Sequence, residues 1–179
     1  MKKVLIIGGN GSGKSTFSKR LAKITNLPLC HLDSLYWTDG WTPRDKGEFI
    51  SLLTAELEKP SWILDGNMKS TLETRLSYCD TVIYLDFSTM ACVLGVIKRV
   101  IKNYGKSRDD MAKNCPEKFD NRTFTFLKSV LKFNKNNRAN FYTAIASAPN
   151  VKLIVLKNRR QVNRYLKKLS NEINSRNVT

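Results

Sequence analysis

The stretch from Val4 to Thr16, V-L-I-I-G-G-N-G-S-G-K-S-T, constrains this chain more than any other. An apolar run breaks into a glycine-rich loop carrying a lysine and two hydroxyl residues. It satisfies G-x-x-x-x-G-K-[ST], with Gly8, Gly13, Lys14 and Ser15 at the fixed positions. Val4 to Ile7 read as a buried strand, and Phe17, Leu21 and Ile24 recur at helical spacing behind the loop. Strand, loop and helix in that order form the context the motif requires.

The residue types suit a densely anionic ligand. Gly8, Gly9, Gly11 and Gly13, with Asn10 and Ser12 between them, let backbone N–H groups converge on phosphate without side chains in the way. A helix starting near Gly13 adds unpaired N–H groups and a positive dipole end. Lys14 is then expected on the β/γ-phosphates of ATP, the Ser15 hydroxyl on Mg²⁺, and Thr16 on the α-phosphate side.

Length and charge narrow the context. At 179 residues the chain fits one α/β domain able to bury its core without disulfides. The four cysteines, 30, 79, 92 and 115, form no C-x-x-C pair, and His31 is the single histidine, which argues against a zinc or redox motif. Reduced thiols in a cytoplasmic protein are the expectation. The N-terminal apolar run enters the loop directly instead of forming a signal peptide. The later run from Met90 to Ile97 falls far short of the ~20 residues that span a bilayer, so no membrane partner is expected. The net charge of +16 favours anionic partners, nucleic acid among them, without choosing one.

Along the chain, Leu27 to Asp33 reads as a short strand ending in a carboxylate, on the ligand edge of an open α/β sheet. The aromatic stretch at 34–41 holds Tyr36, Trp37 and Trp41, suited either to packing or to a substrate ring. Thr42-Pro43-Arg44-Asp45 has the form of a capping box opening a helix that Pro60 closes. Trp62 to Asp65 and Thr81 to Asp86 both read as strands ending in aspartate, leaving two candidates for the metal-holding carboxylate. Ser88 is expected to cap a helix with Met90, Val93, Leu94, Ile97, Val100, Ile101 and Tyr104 on its apolar face. Asn103 to Cys115 reads as a loop or lid. Pro116 is expected to open a helix with Phe119, Phe126, Leu127 and Val130 inward, interrupted at 134–140. Val151 to Leu156 is expected as a final buried strand, and Gln161 to about Asn174 as a last basic helix. About five strands alternating with helices predict a three-layer α/β/α fold with a five-stranded parallel sheet.

With these pieces placed, the chain resembles the adenylate-kinase-like phosphate-loop proteins and, within them, the DNA topology modulation proteins. The closer likeness rests on H-L-D-S-L-Y-W with G-W at 40–41, W-I-L-D-G-N at 62–67 followed by Arg75, Y-L-D at 84–86, and P-E-K-F-D at 116–120. The resemblance implies a nucleoside-kinase-like domain spanning 1–179, with an acceptor-binding flap at about 33–59 and a lid at about 103–115. It also implies that the strand ending at Asp65 lies beside the phosphate-loop strand, making Asp65 with Ser15 the metal set. Arg99, Arg108 and Arg138 become candidates to approach the phosphates. The arginine that follows D-G closely in nucleoside monophosphate kinases is displaced here to Arg75.

These readings lead to an ATP- and Mg²⁺-dependent phosphotransferase. Lys14, Asp33, Arg99 and Arg138 are its candidate catalytic residues, and Asp33, Trp41, Asn67 and Arg75 its candidate acceptor site. The alternative is an ATP-binding, nucleic-acid-associated regulator without small-molecule kinase activity.

Overall fold

A computed structural model describes residues 1–176. In chain order the elements are β1 (Lys3–Gly8), α1 (Lys14–Thr25), β2 (Leu29–His31), α2 (Leu32–Tyr36), β3 (Trp37–Thr38), β4 (Thr42–Pro43), α3 (Lys46–Glu58), β5 (Trp62–Asp65), α4 (Leu72–Tyr78), β6 (Thr81–Leu85), α5 (Thr89–Lys102), α6 (Asn121–Ala146), β7 (Lys152–Leu156) and α7 (Arg159–Arg176). Five strands form a parallel sheet in the order β2-β5-β1-β6-β7, while β3 and β4 pair as a small antiparallel ribbon. The expected three-layer α/β/α architecture is the observed one.

Alternation along β1 divides the core. Val4 and Ile6 face a cluster that includes Phe17 and Leu21 of α1, Cys92, Val96 and Val100 of α5, and Val162 and Leu166 of α7. Leu5 and Ile7 face the opposite layer, built from Leu53 and Leu57 of α3, Leu72 and Leu76 of α4, and Phe141 and Ile145 of α6. Period-two geometry puts neighbouring β1 side chains on opposite faces, and both faces are covered, so the strand reads as a continuous apolar run. Such burial is worth roughly 1.5–3 kcal/mol per large aliphatic side chain.

β1 sits mid-sheet, with β5 on one side and β6 on the other. Ile6 pairs in register with Asp65, and Gly8 with Leu85. The phosphate-loop strand therefore has an aspartate-ending segment on each flank.

Several local expectations are corrected. Asp33 is not at a strand end. β2 stops at His31, and Asp33 lies in the first turn of α2. Thr42 and Pro43 belong to the ribbon; α3 is capped three residues later by Asp45, whose side chain accepts from Gly47 N and Glu48 N at 2.8 and 3.1 Å. The buried residues of α5 are Cys92, Val96 and Val100, whereas Met90, Leu94 and Ile101 are exposed. That face is selected by the phosphate loop, which packs so closely that a Cβ on Gly95 would lie 2.1 Å from the Gly11 carbonyl oxygen.

Pro116 precedes the next helix by several residues, since α6 starts after the Asp120 cap and Phe119 is exposed. α6 then runs unbroken through 134–140. Asparagine side chains bond to carbonyls there: Asn134 donates to Phe87 O at 3.0 Å, and Asn137 donates to Phe133 O at 3.0 Å. Local side-chain bonding removes the competition that would otherwise break the helix. β7 is an edge strand with only Leu156 buried, and α7 starts at Arg159, two residues before its expected first residue.

Candidate functional site

The loop between β1 and α1 owes its shape to left-handed backbone at Gly11 (φ 86°) and Gly13 (φ 90°). A side chain at Gly11 would collide with the Cys92 carbonyl oxygen at 2.0 Å, so only glycine lets the loop reach α5. α1 has no acidic residue in its first turn and no side-chain cap, so its terminal N–H groups face the cleft without an internal anion. The loop is pinned from the other side by Asn67. Its Oδ1 accepts from Gly8 N at 3.0 Å, and its Nδ2 donates to Gly8 O. Lys14 Nζ folds back to donate to Gly8 O at 2.9 Å and Gly9 O at 3.4 Å. Burial lowers the Lys14 pKa, opposed by the charges of Asp33 and Asp65.

Four carboxylates surround this loop in different states. Asp65, 4% exposed, accepts from Ser18 Oγ at 2.9 Å and pairs with His31 Nδ1 at 2.7 Å. Asp86 is held by Arg138 at 2.6 Å and by the Tyr142 hydroxyl at 3.0 Å. Asp33 opens onto the cleft with protein crowding its other sides. That crowding raises its pKa, and the Lys14 charge opposes the rise. Asp110, which sequence reasoning missed, is brought over the loop by the 103–115 segment. Its burial raises the pKa, but the Arg108 charge and the neighbouring Ser15 hydroxyl prevail and lower it.

Ser15, Asp65 and Asp110 line one cleft and offer hard oxygen donors of the kind Mg²⁺ takes. Among the described residues no group of three His, Cys, Asp or Glu side chains forms a metal cage. A magnesium ion carried on phosphates and water needs none, so the donor set fits.

Two cavities meet here. One, of about 920 Å³, extends over Gly11 and Gly13 to Thr16 and is walled by α5, the 103–110 segment and Arg159. The other, of about 580 Å³, is walled by Tyr36, Trp37, Trp41, Met68, Met111 and Phe126. Asn10, Lys14, Asp33, Arg99 and Arg108 line both. Glu117, 5% exposed, joins the two arginines, lying 3.0 Å from Arg99 Nε and 3.0 Å from Arg108 Nε. Both contacts are close yet misaligned as hydrogen bonds, so attraction between charges holds them. The 103–117 segment also touches the aromatic stretch, where Cys115 Sγ accepts from Trp41 N at 3.2 Å and Asn114 donates to Asp39 at 3.1 Å.

The structure thus brings Lys14, Asp33, Arg99, Trp41 and Asn67 together and leaves two candidates apart. Arg75 is fully buried, and its guanidinium donates to the carbonyls of Gly66 (2.9 Å), Met68 (2.5 Å) and Thr71 (3.3 Å). It braces the turn after β5 and lines neither cavity. Arg138 pairs with Asp86 and likewise lies outside both linings. Glu117 sits within the P-E-K-F-D stretch already singled out, and Asp110 within an Asp-Asp pair in the polar segment. Neither carried a spacing signal that would have assigned it a role.

Fold and loop together define a phosphate-loop α/β/α protein. No protein-family model matches the chain, and no curated protein matches it. Among solved structures it is similar to shikimate kinase from Acinetobacter baumannii in complex with shikimate, at 15% identity and a TM-score of 0.60, covering 100% of this chain and 96% of that one. Shikimate kinase from Bacteroides thetaiotaomicron gives 16% identity and 0.52 over 96% and 97%. A protein from Chloroflexus aurantiacus gives 18% and 0.57 over 95% and 97%. At these identities the likeness establishes the fold. Among the described residues no helix is long and apolar enough to cross a membrane.

Proposed function

We propose that the chain is an ATP- and Mg²⁺-dependent phosphotransferase acting on a small-molecule hydroxyl. The observation that carries this reading is the shared wall. A phosphate-loop cleft and an aromatic pocket meet at Lys14, Asp33, Arg99 and Arg108, where a γ-phosphoryl group and an acceptor would face each other. In this reading residues 33–59 are the acceptor flap and 103–115 the lid, and the contacts of Cys115 and Asn114 join one to the other.

The loop N–H groups and Lys14 hold the β- and γ-phosphates, with Lys14 leaving the Gly8 and Gly9 carbonyls to do so. Asp33 accepts the proton of the acceptor hydroxyl as its oxygen bonds to phosphorus and the bond to ADP breaks. Its raised pKa makes it a better base than an ordinary carboxylate. Arg99 and Arg108 aim N–H groups at the transferring phosphoryl. Mg²⁺, when bound, neutralises phosphate charge. Ser15 and Asp65 would hold it, with Ser18 and His31 fixing the Asp65 carboxylate.

ATP consumption across nucleosides, nucleotides and sugars tests the reading, with Lys14→Ala as control. Acceptor-dependent turnover that the variant lacks is expected. An ATP-binding wild type without turnover on any acceptor contradicts it.

Membership of the DNA topology modulation proteins and a nucleic-acid partner form a second reading, supported by the quoted motifs and the +16 charge. Duplex binding whose affinity falls steeply with salt would favour it. The four cysteines are free thiols, which suits a cytoplasmic setting.

A further inference from the structure

The aromatic pocket differs from a site built to hold an anion, and the difference lies in its charge pairing. Arg99 and Arg108 are matched by two buried carboxylates, Glu117 and Asp110. Glu117 lies 3.0 Å from each arginine, and Asp110 lies 3.0 Å from Arg108 Nη1. Arg122 is paired with Asp120 at 3.0 Å. Among the described residues lining the pocket, Lys14 belongs to the phosphate loop, and Lys118 is exposed at the mouth with no acidic partner. No guanidinium there lacks a carboxylate. Arg75 donates to three backbone carbonyls outside the pocket.

Glu117 engages both arginines through Nε, so outer N–H groups remain for the transferring phosphoryl, but their charge is already matched by Glu117 and Asp110. An anionic acceptor would find no uncompensated guanidinium in a pocket that Asp33 and Asp120 also line, and like charges at close range discriminate against the wrong ligand. A neutral acceptor does not meet that obstacle.

The walls add a second constraint. Tyr36, Trp37 and Trp41 present edge-to-face rings, with centroids 4.9 Å apart for Tyr36 and Trp37 and 5.7 Å for Trp37 and Trp41. The Trp41 indole N–H is shielded from solvent and has no hydrogen-bond partner. A buried donor left unmade is costly, so a ligand that accepts from it once the rings shift gains affinity and orientation. The volume, about 580 Å³, accommodates a ring system carrying a sugar.

We infer that the acceptor is an uncharged, flat-ringed alcohol of nucleoside size, and that Glu117 disfavours phosphorylated and carboxylated analogues by neutralising the charge of Arg99 and Arg108. A ring carbonyl or ring nitrogen accepts from Trp41 Nε1, and the hydroxyl points at Asp33. The role of that hydroxyl rests on the phosphotransferase reading; the charge selection does not.

The full chain, with ADP and Mg²⁺ present, is titrated calorimetrically with uridine, cytidine, thymidine and guanosine, with their 5′-monophosphates, and with shikimate. At least one nucleoside is expected to bind more tightly than its monophosphate, and shikimate to bind more weakly than that nucleoside. Glu117→Gln is expected to improve monophosphate binding about tenfold by leaving the arginine charge unmatched. Trp41→Phe keeps the ring, loses the donor and is expected to weaken nucleoside binding severalfold, which keeps the inference testable if Glu117→Gln does not fold. Tighter binding of a monophosphate or of shikimate, absence of binding by every nucleoside, or an unchanged Trp41→Phe overturns it. Nucleoside binding without phosphoryl transfer leaves the inference standing and defeats the phosphotransferase reading instead.

Discussion

Asp65 and Asp86 lie on opposite flanks of the same strand, one ending β5 and the other following β6, and both are buried beside the phosphate loop. Their partners separate them. Asp65 is held by a hydroxyl and by an imidazole, donors that orient a carboxylate without requiring a permanent countercharge. Asp86 carries a guanidinium at 2.6 Å and a phenol at 3.0 Å, so its charge already has a counterion within the protein. Position in the sheet made both candidates for the metal; what each aspartate is bonded to favours Asp65.

The largest expected effect follows from removing the oriented carboxylate. Asp65→Asn should lower Mg²⁺-dependent turnover about a hundredfold while ATP binding without metal changes little, as steady-state rates over a Mg²⁺ series would show. His31→Ala removes one of the groups that orient Asp65. It is expected to raise the Mg²⁺ requirement about tenfold and to preserve kcat at saturating metal.

Asp86→Asn supplies the contrast. Turnover should stay within about threefold of wild type. Weakening the bonds from Arg138 and Tyr142 should cost about 1–3 kcal/mol of stability by denaturant unfolding. A large catalytic loss in Asp86→Asn, with Asp65→Asn nearly normal, would reverse the assignment.

The smallest effect concerns Asp33. Protein crowding around Asp33 raises its folded pKa above the ordinary 3.8, so the folded protein binds more protons than the unfolded chain between those two values. The stability Asp33 contributes is therefore present at low pH and is lost as pH rises through the folded pKa. Asp33→Asn should melt slightly higher than wild type at neutral pH, the gain disappearing below the ordinary carboxylate range. Thermal melts over a pH series read this directly.

How far the sequence reveals these sites depends on what builds them. The phosphate loop is made of backbone whose shape depends on glycine, so its residue types announce it at fixed spacing. Val4 to Ile7 and the alternation of strands with helices likewise carried the sheet. Asp65 and Asp86, by contrast, look alike in sequence because each ends an apolar run. The difference lies in Ser18, His31, Arg138 and Tyr142, which tertiary folding brings in from far along the chain.

The buried face of α5 escapes its sequence pattern for a related reason. Periodicity counts apolar residues, and Met90, Leu94 and Ile101 satisfy it, yet the loop demands Gly95 and therefore the side bearing Cys92 and Val96. Glu117 and Asp110 are ordinary acidic residues until the 103–117 segment folds over Arg99 and Arg108. Such pairings leave no periodic trace.

The most direct test of the central claim is transfer of labelled γ-phosphoryl from ATP to a nucleoside by the full chain with Mg²⁺. Label appearing on the nucleoside with wild-type protein, and absent with Lys14→Ala, is the expected result. Label released only as inorganic phosphate, or no loss of ATP with any acceptor, would contradict it.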